Sequence, residues 1–481
     1  MDPAIALLIP FTGSILILAF GKYPNLRDSI SVVAAITSFL AILNISTNGV
    51  NSESILFNIA PGIDFGFKAD PLGLVFALTS SSLWILVSIY SIGYMRSLNE
   101  HAQTRFYFCF GMSMLSAFGI ALAKNLITFY VFYELLTIFT YPLVAHEESE
   151  AARSAGRRYL AYLIPSGASL LAATLLTYWL TGTTDFKPGG FIFGDPEVIR
   201  LIFILFLLGS AKSAFIPLHS WLPSAMVAPA PVSALLHAVA VVKAGVFVII
   251  RIVYYVYGID LMRELDLNIM LGIVAAFTVI MANILAIGES NLKRRLAYST
   301  MNQLSFIILA VSLLHPYGFL ASVMHIPFHG YMKITLFLCA GAITAIAGKH
   351  DVFQFDGLGK SLRFTFGAFT IGAIGMAGLP PVAGFISKWL VVLTGNVWAI
   401  AVVLIASVLD VVYLFPIVRN GFFKESEENY NEFGGYLNAY MIIPLIITAL
   451  LSIVLFIMPG LMHISDLATM ALKEVWGNGL S

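Results

Sequence analysis

The sequence predicts an all-α integral membrane protein of about fourteen transmembrane helices, and three observations predict it. The 481 residues are 59% hydrophobic and 11% charged, with a mean hydropathy of +0.90, a balance that no water-soluble chain of this length sustains. Apolar runs of about 20 residues, the length that spans a bilayer core, recur between polar breaks. Lysine and arginine fall unequally on alternate breaks, as the positive-inside rule requires. Lys plus Arg, 26, equal Asp plus Glu, 26, so no net charge points to nucleic acid or an anionic surface as partner.

Taken in order, the apolar segments lie near 3-20, 29-47, 71-94, 106-123, 126-145, 157-181, 198-225, 230-257, 268-288, 298-314, 317-348, 364-390, 395-418 and 439-460. Internal prolines predict breaks in the segments ending at 181, 225, 348 and 390. No basic residue precedes the run to Phe20, and Lys22 follows it. This reads as a first membrane helix with an outside N-terminus rather than a cleaved signal. On that assignment fifteen basic residues fall inside, Arg153, Arg157, Arg158 and Lys293 among them, and seven outside, including Lys124 and Arg251. Both termini are then outside, and the expected location is the plasma membrane of a prokaryote.

Four units follow: 1-105, helices one to three; 106-257, helices four to eight; 268-418, helices nine to thirteen; and 419-481, helix fourteen with a tail. Two consecutive blocks of five crossings enter the membrane from opposite sides, which is inverted-repeat topology. The seventh and twelfth helices carry Lys212 near Pro217 and Lys388 near Pro380 and Pro381. Broken helices at matching places in two halves mark an ion path.

Four lysines, Lys212, Lys243, Lys333 and Lys388, lie inside apolar segments. At roughly 2.5 to 3.5 kcal/mol each they would cost about 10 to 14 kcal/mol facing lipid, so they are expected to face protein or water. The alternative, an ammonium snorkelling to the interface, suits Lys388 best. Glu134 needs a buried cation, and Lys212 is the obvious candidate; separating such a pair would release a proton from Lys212. A static ion pair is the other reading. His325, His329 and Lys333 follow at i, i+4 and i+8, forming one stripe roughly 12 Å long if the helix survives Pro327. Imidazoles suit a proton wire. Two histidines at i, i+4 also suit a metal, but no third ligand accompanies them.

His237 and Lys243, six residues apart, are expected on different faces of one helix, and His219 at a water-filled end of the path. Asp410 serves Lys388, an exit, or a neighbouring subunit. Glu147, Glu148 and Glu150 beside three arginines read as a solvated loop. Cys109 and Cys339 have no disulfide or metal spacing. No nucleotide loop, haem or cluster ligand set is visible, so no cofactor or metal is expected in this chain.

The stretches LLGSAKSAFIPLHSWLPSAMVAPAPVSALLHAVAVVKAGVF, NLKRRLAYSTMNQLSF, HIPFHGYMKITLFLCAGAI and GLPPVAGFISKW resemble the antiporter-like subunits of respiratory complex I, of multisubunit Mrp-type sodium/proton antiporters and of membrane-bound hydrogenases. The resemblance covers about residues 60 to 420. It implies that Glu134 and Lys212 are a switching pair and that His237 or Lys243 relays the proton onward. His325, His329 and Lys333 become the central relay, and Lys388 the terminal station of the lysine type. A chain ending about twenty residues after its last membrane helix implies a middle-position or D-type subunit without a long lateral helix. The implied function is translocation of protons or another cation, sodium included, along a central Glu/Lys/His axis. Partners would be homologous membrane subunits and a peripheral redox arm; the alternative is an Mrp-type sodium/proton antiporter subunit with no redox module. Alone, the chain would not be an oxidoreductase.

Overall fold

Helices begin where the sequence supplies a cap. Asp70, Asn125, Ser149, Asp195 and Asn396 each accept a hydrogen bond from a backbone N–H of the following turn, which relieves the orphan donors of a helix N-terminus. The computed structural model describes residues 2–235, 239–425 and 430–477, without the side chain of Tyr436. After α1 (Pro3–Ala19) and α2 (Pro24–Asn48), a hairpin of β1 (Glu53–Ala60) and β2 (Ile63–Lys68) leads to α3 (Pro71–Ser97), α4 (Gln103–Ala121), α5 (Leu126–Val144) and α6 (Glu150–Thr181). Then come α7 (Pro196–Gly209), α8 (Trp221–Ser224), α9 (Ala230–Ala234), α10 (Val241–Arg251), α11 (Ile259–Glu264), α12 (Leu267–Gly288), α13 (Leu292–Ser312) and α14 (Pro316–Ala347). The last are α15 (Leu358–Ser361), α16 (Arg363–Ala377), α17 (Gly384–Val392), α18 (Val397–Phe423), α19 (Tyr436–Ile457) and α20 (Ile464–Trp476).

The chain is a helical membrane protein. Among the described residues, eight helices are long and apolar enough to cross a bilayer. Each predicted apolar segment falls on one helix or on an interrupted pair. The 198-225 segment breaks between α7 and α8 around Pro217, and the 364-390 segment between α16 and α17 at Pro380 and Pro381. The central helices α3 and α14 are the most thoroughly enclosed, whereas α2, α12 and α18 leave more of their apolar surface at the periphery, where lipid would meet it.

Two expectations need correction, and two features are additions. A β-hairpin fills the stretch between the predicted segments 29-47 and 71-94; its strands pair antiparallel from Glu53 opposite Lys68 to Ala60 opposite Ile63. α6 and α14 run unbroken through Pro165 and Pro327, because packed neighbours hold a membrane helix across a missing N–H. The 230-257 segment is not one helix: α9 stops at Ala234, α10 starts at Val241, and a π-helical turn covers Ile252–Tyr257. Arg251 is fully buried at the N-terminus of α3, its guanidinium forked onto the capping Asp70 at 2.5 and 2.8 Å.

The loops gather in two sets that follow the predicted alternation. In one, Lys124 joins Glu53 and Asp64 of the hairpin at 2.8 and 2.9 Å and Asp185 at 3.4 Å. Burial works against this ammonium, but hydrogen bonds to Glu53 and Asp64 and the charge of Asp185 outweigh it and hold its pKa above the ordinary lysine value. In the other set, Asp28 takes Arg27 at 2.7 Å and Arg96 at 2.5 Å, and Lys293 donates to the Ala228 carbonyl at 2.8 Å. α20 folds back against α3 and α14.

Candidate functional site

The first break exposes backbone that a helix would have satisfied, and side chains take its place. The Gly209 carbonyl accepts from Tyr133 Oη at 3.1 Å and Ser166 Oγ at 2.8 Å, the Ala211 carbonyl from Trp221 Nε1 at 3.1 Å, and the Ile216 amide donates to Thr278 Oγ1 at 3.1 Å. This is irregular backbone tolerated within a membrane interior because protein surrounds it. Lys212 sits in the 3-10 turn Ala211–Ser213, fully buried. Its ammonium donates to the Tyr133 carbonyl of α5 and stands 3.3 Å from the Tyr133 ring centroid.

The expected Glu134–Lys212 contact is absent: no ion pair within 4.0 Å joins them among the described residues. Glu134 is the next residue along α5, and its Oε1 is buried without a hydrogen bond. The carboxyl lies against Gly167 of α6, where an added Cβ would come 2.1 Å from Oε1. Carbonyl and ring have taken the place of the carboxylate as partners of Lys212. His219 is half-buried beyond the break, with Nδ1 3.3 Å from the Pro217 carbonyl. His237 lies outside the described residues.

The stripe on α14 is intact, and each member reaches a different partner. Lys243 Nζ of α10 lies 2.7 Å from His329 Nδ1; an ammonium has only donors, so in that state the imidazole accepts. The His329 and His325 rings are stacked with centroids 5.7 Å apart. His325 Nδ1 meets Ser387 Oγ at 2.7 Å and Nε2 meets Gln303 Oε1 at 3.1 Å. Gln303 Nε2 donates to Asp410 Oδ2 at 3.1 Å, which turns its carbonyl oxygen to His325 and puts the imidazole proton on Nε2. Lys333 Nζ donates to Ser299 Oγ at 2.8 Å and to the Leu296 carbonyl at 3.3 Å.

Both branches converge on Asp410, which the structure turns inward to Lys388 rather than toward a neighbouring subunit. Lys388 Nζ donates to Asp410 Oδ2 at 3.2 Å, to the Met376 carbonyl at 2.7 Å and to Ser407 Oγ at 3.0 Å. Asp410 Oδ1 accepts from Asn302 Nδ2 at 2.9 Å and Tyr413 Oη at 2.6 Å, and that hydroxyl also lies 2.7 Å from Ser299 Oγ. Asp410 is fully buried and Lys388 6% exposed, so the lysine does not snorkel. Sequence reasoning found the ionisable residues but missed the neutral connectors Ser299, Asn302, Gln303, Ser387 and Tyr413. The only signal for them was polarity on an apolar helix, most visible in YSTMNQLS of α13.

The family described as NADH:quinone oxidoreductase/Mrp antiporter, TM, matches residues 123–413, and the complex I chain 5 N-terminus matches residues 59–107. NAD(P)H-quinone oxidoreductase subunit 5 of the Paulinella chromatophora organellar chromatophore is 31% identical over 418 residues, 79% of this chain and 61% of the relative. The chloroplastic subunit 5 of Adiantum capillus-veneris is 34% identical over 346 residues, 68% of this chain and 46% of the relative. The chain thus spans about half to three-fifths of these curated relatives. A chain of the archaeal membrane-bound sulfane sulfur reductase superposes with a TM-score of 0.87 at 25% identity, covering 98% of this chain and 97% of the other. A chain of the Mrp complex from Dietzia sp. DQ12-45-1b shares the fold, with a TM-score of 0.83 at 23% identity over 99% of this chain and 52% of the other. The matched segment contains every intramembrane lysine and its partners, and the chain belongs to the NADH:quinone oxidoreductase/Mrp antiporter membrane family.

Proposed function

We propose that this chain is a proton-translocating, antiporter-like subunit of a larger redox-driven membrane complex, conducting protons along the buried row from Lys212 to Lys388. The observation that carries the reading is the hydrogen-bonded run Lys333–Ser299–Tyr413–Asp410–Lys388, beside which Gln303 holds His325 against Asp410 and the His329 ring, stacked on His325, meets Lys243. Proton transfer needs groups that both take and give protons within about 3 Å of one another, directly or through one water. Imidazole, carboxylate, ammonium and hydroxyl groups meet that need along the row. Water would bridge the stacked imidazoles and the stretch between Lys212 and Lys243.

The driving reaction belongs to partners. The relatives named above are subunits of a quinone oxidoreductase and of a respiratory sulfane sulfur reductase complex, which favours homologous membrane subunits and a redox arm as neighbours of this one. We place the arginine-rich loop set inside on the positive-inside rule, with both termini outside and the plasma membrane of a prokaryote as the location.

The test is proton pumping by vesicles containing the whole native complex, comparing wild type with Lys212→Ala, Glu134→Ala and Gln303→Leu after normal assembly is confirmed. Loss of pumping with intact assembly supports the reading. Unchanged pumping in all three makes the row structural and overturns it. Sodium-dependent exchange indifferent to an electron donor would instead identify a secondary antiporter.

A further inference from the structure

We propose that Glu100, His101 and His146 form a binding site for one divalent transition-metal ion, zinc foremost, which ties the α3–α4 turn to the end of α5 on the arginine-rich face. A Glu100 carboxylate oxygen and one ring nitrogen from each histidine all lie within 4.8 Å of one another. Two imidazoles and a carboxylate are a donor set suited to zinc, with water in the fourth position. Donors around a tetrahedral zinc stand about 3.3 Å apart at bond lengths near 2.0 Å. Closing from the present spacing takes roughly 1 to 1.5 Å of side-chain movement, and His101 is exposed and Glu100 only half-buried, so both are free to make it.

The second observation is His146. Its side chain is fully buried, yet neither ring nitrogen meets a partner at hydrogen-bond distance and angle, the His101 backbone approaching it without such geometry. A buried polar group left unpaired costs about 1–3 kcal/mol and calls for a partner. Glu100 Oε2 stands 3.8 Å from His146 Nε2, beyond hydrogen-bond range, and the His101 ring faces it with centroids 4.9 Å apart. The loop is fixed from the other side: Arg105 donates to the His146 carbonyl at 3.1 Å and to Glu148 Oε1 at 2.5 Å, so this guanidinium is already paired. By contrast, both ring nitrogens of His325 and Nδ1 of His329 already have partners within the chain.

The test is zinc binding to the purified full complex by equilibrium dialysis against zinc chloride with metal analysis. Zinc-edge X-ray absorption then identifies the ligands. His101→Ala alters an exposed side chain and Glu100→Gln preserves shape, so both variants are expected to fold. Wild type should hold one more zinc per copy of this chain than either variant, with two imidazole shells in the absorption spectrum. The affinity of this site should fall at least about 100-fold in each variant, since even outer-shell changes cost 10–100-fold. Equal uptake and affinity in wild type and both variants overturns the proposal, because the chain's other histidines and those of partner subunits are unchanged by the substitutions.

Discussion

Removing the charge of Asp410 while keeping its shape tests whether the second half of the row is an interacting unit. In Asp410→Asn, the Lys388 ammonium keeps the Met376 carbonyl and Ser407 but loses its only carboxylate partner among the described residues. At 3.2 Å the Coulomb attraction is about 5 kcal/mol at an effective dielectric of 20. The new amide also points an NH2 group at donors, since Asn302 and Tyr413 occupy one oxygen and Gln303 and Lys388 the other. Breaking a buried pair by one partner costs about 3–5 kcal/mol, and Lys388→Met, which strands the carboxylate, should cost a similar amount. The double variant leaves no buried charge at this position, so its cost should fall short of the sum by at least about 2 kcal/mol. Unfolding in mixed detergent micelles, followed by far-ultraviolet circular dichroism, measures each variant. Costs that add within about 0.5 kcal/mol, the behaviour of independent sites, would refute the pairing and with it the convergence of both branches on Asp410.

Three further outcomes follow from the same geometry. Gly167→Ala places a Cβ 2.1 Å from Glu134 Oε1 and must turn the carboxyl away; proton pumping by the complex should fall with at most about 1–3 kcal/mol lost in stability. Gly367→Ala, with nothing within 4 Å, should leave pumping unchanged. Tyr413→Phe removes the hydroxyl that joins Ser299 to Asp410 and should cost about 1–2 kcal/mol by the same unfolding assay. It should slow pumping, because the hydroxyl run to Asp410 is cut and the Gln303 carboxamide that holds His325 against Asp410 does not itself take and give protons. Lys124→Met should speed amide hydrogen exchange across 53–68 by unpinning the hairpin. The folded pKa of Lys124 is raised, so its contribution is complete below the unfolded lysine value, about 10.4, and is lost as pH rises through the higher folded value. Exchange in wild type and variant should therefore converge only in strong alkali.

What could be read from the sequence followed the cost of each group in an apolar setting. Lys212, Lys243, Lys333 and Lys388 stood out because a charge in a membrane helix is expensive enough to be rare. Pro217 and Pro380 marked the breaks because a proline near a charge leaves backbone to be satisfied. Pro165 and Pro327 misled because the same local defect disappears when neighbouring helices close around it. The neutral connectors were hidden for the opposite reason: Ser299, Gln303 and Tyr413 cost little and stand out little, and what makes them part of the row is contact with Asp410 and Lys333. The Asp70–Arg251 pair joins residues 181 positions apart, and one-dimensional spacing carries no trace of it. The hairpin was missed because residues 53–60 show little burial on either face, so no clean alternation marks them.

The two halves of the row are not in the same state. In the second half, Lys388 and Asp410 are in contact, and every oxygen of the carboxylate is hydrogen-bonded. In the first, Lys212 leans on a neutral carbonyl and a ring, and Glu134 Oε1 accepts nothing. A desolvated cation over a ring gains about 2 kcal/mol, less than the several kcal/mol that each buried ion loses on leaving water. The first half is therefore where a change of contact has most to gain. Tyr133 and Glu134 are adjacent on α5, and Ser166 and Gly167, which touch Gly209 and Glu134, are adjacent on α6. Lys212 is thus held by the residue next to Glu134 on α5, and the turn that carries it by the residue next to Gly167 on α6. Under the proposed function, exchange of the Tyr133 carbonyl for the Glu134 carboxylate would begin from residues adjacent on α5. Strained rotamers on such a path cost of order 1 kcal/mol each, small beside the electrostatic difference between an open and a closed pair. Under the proposed function, a switch made this way would respond to charge in the rest of the row.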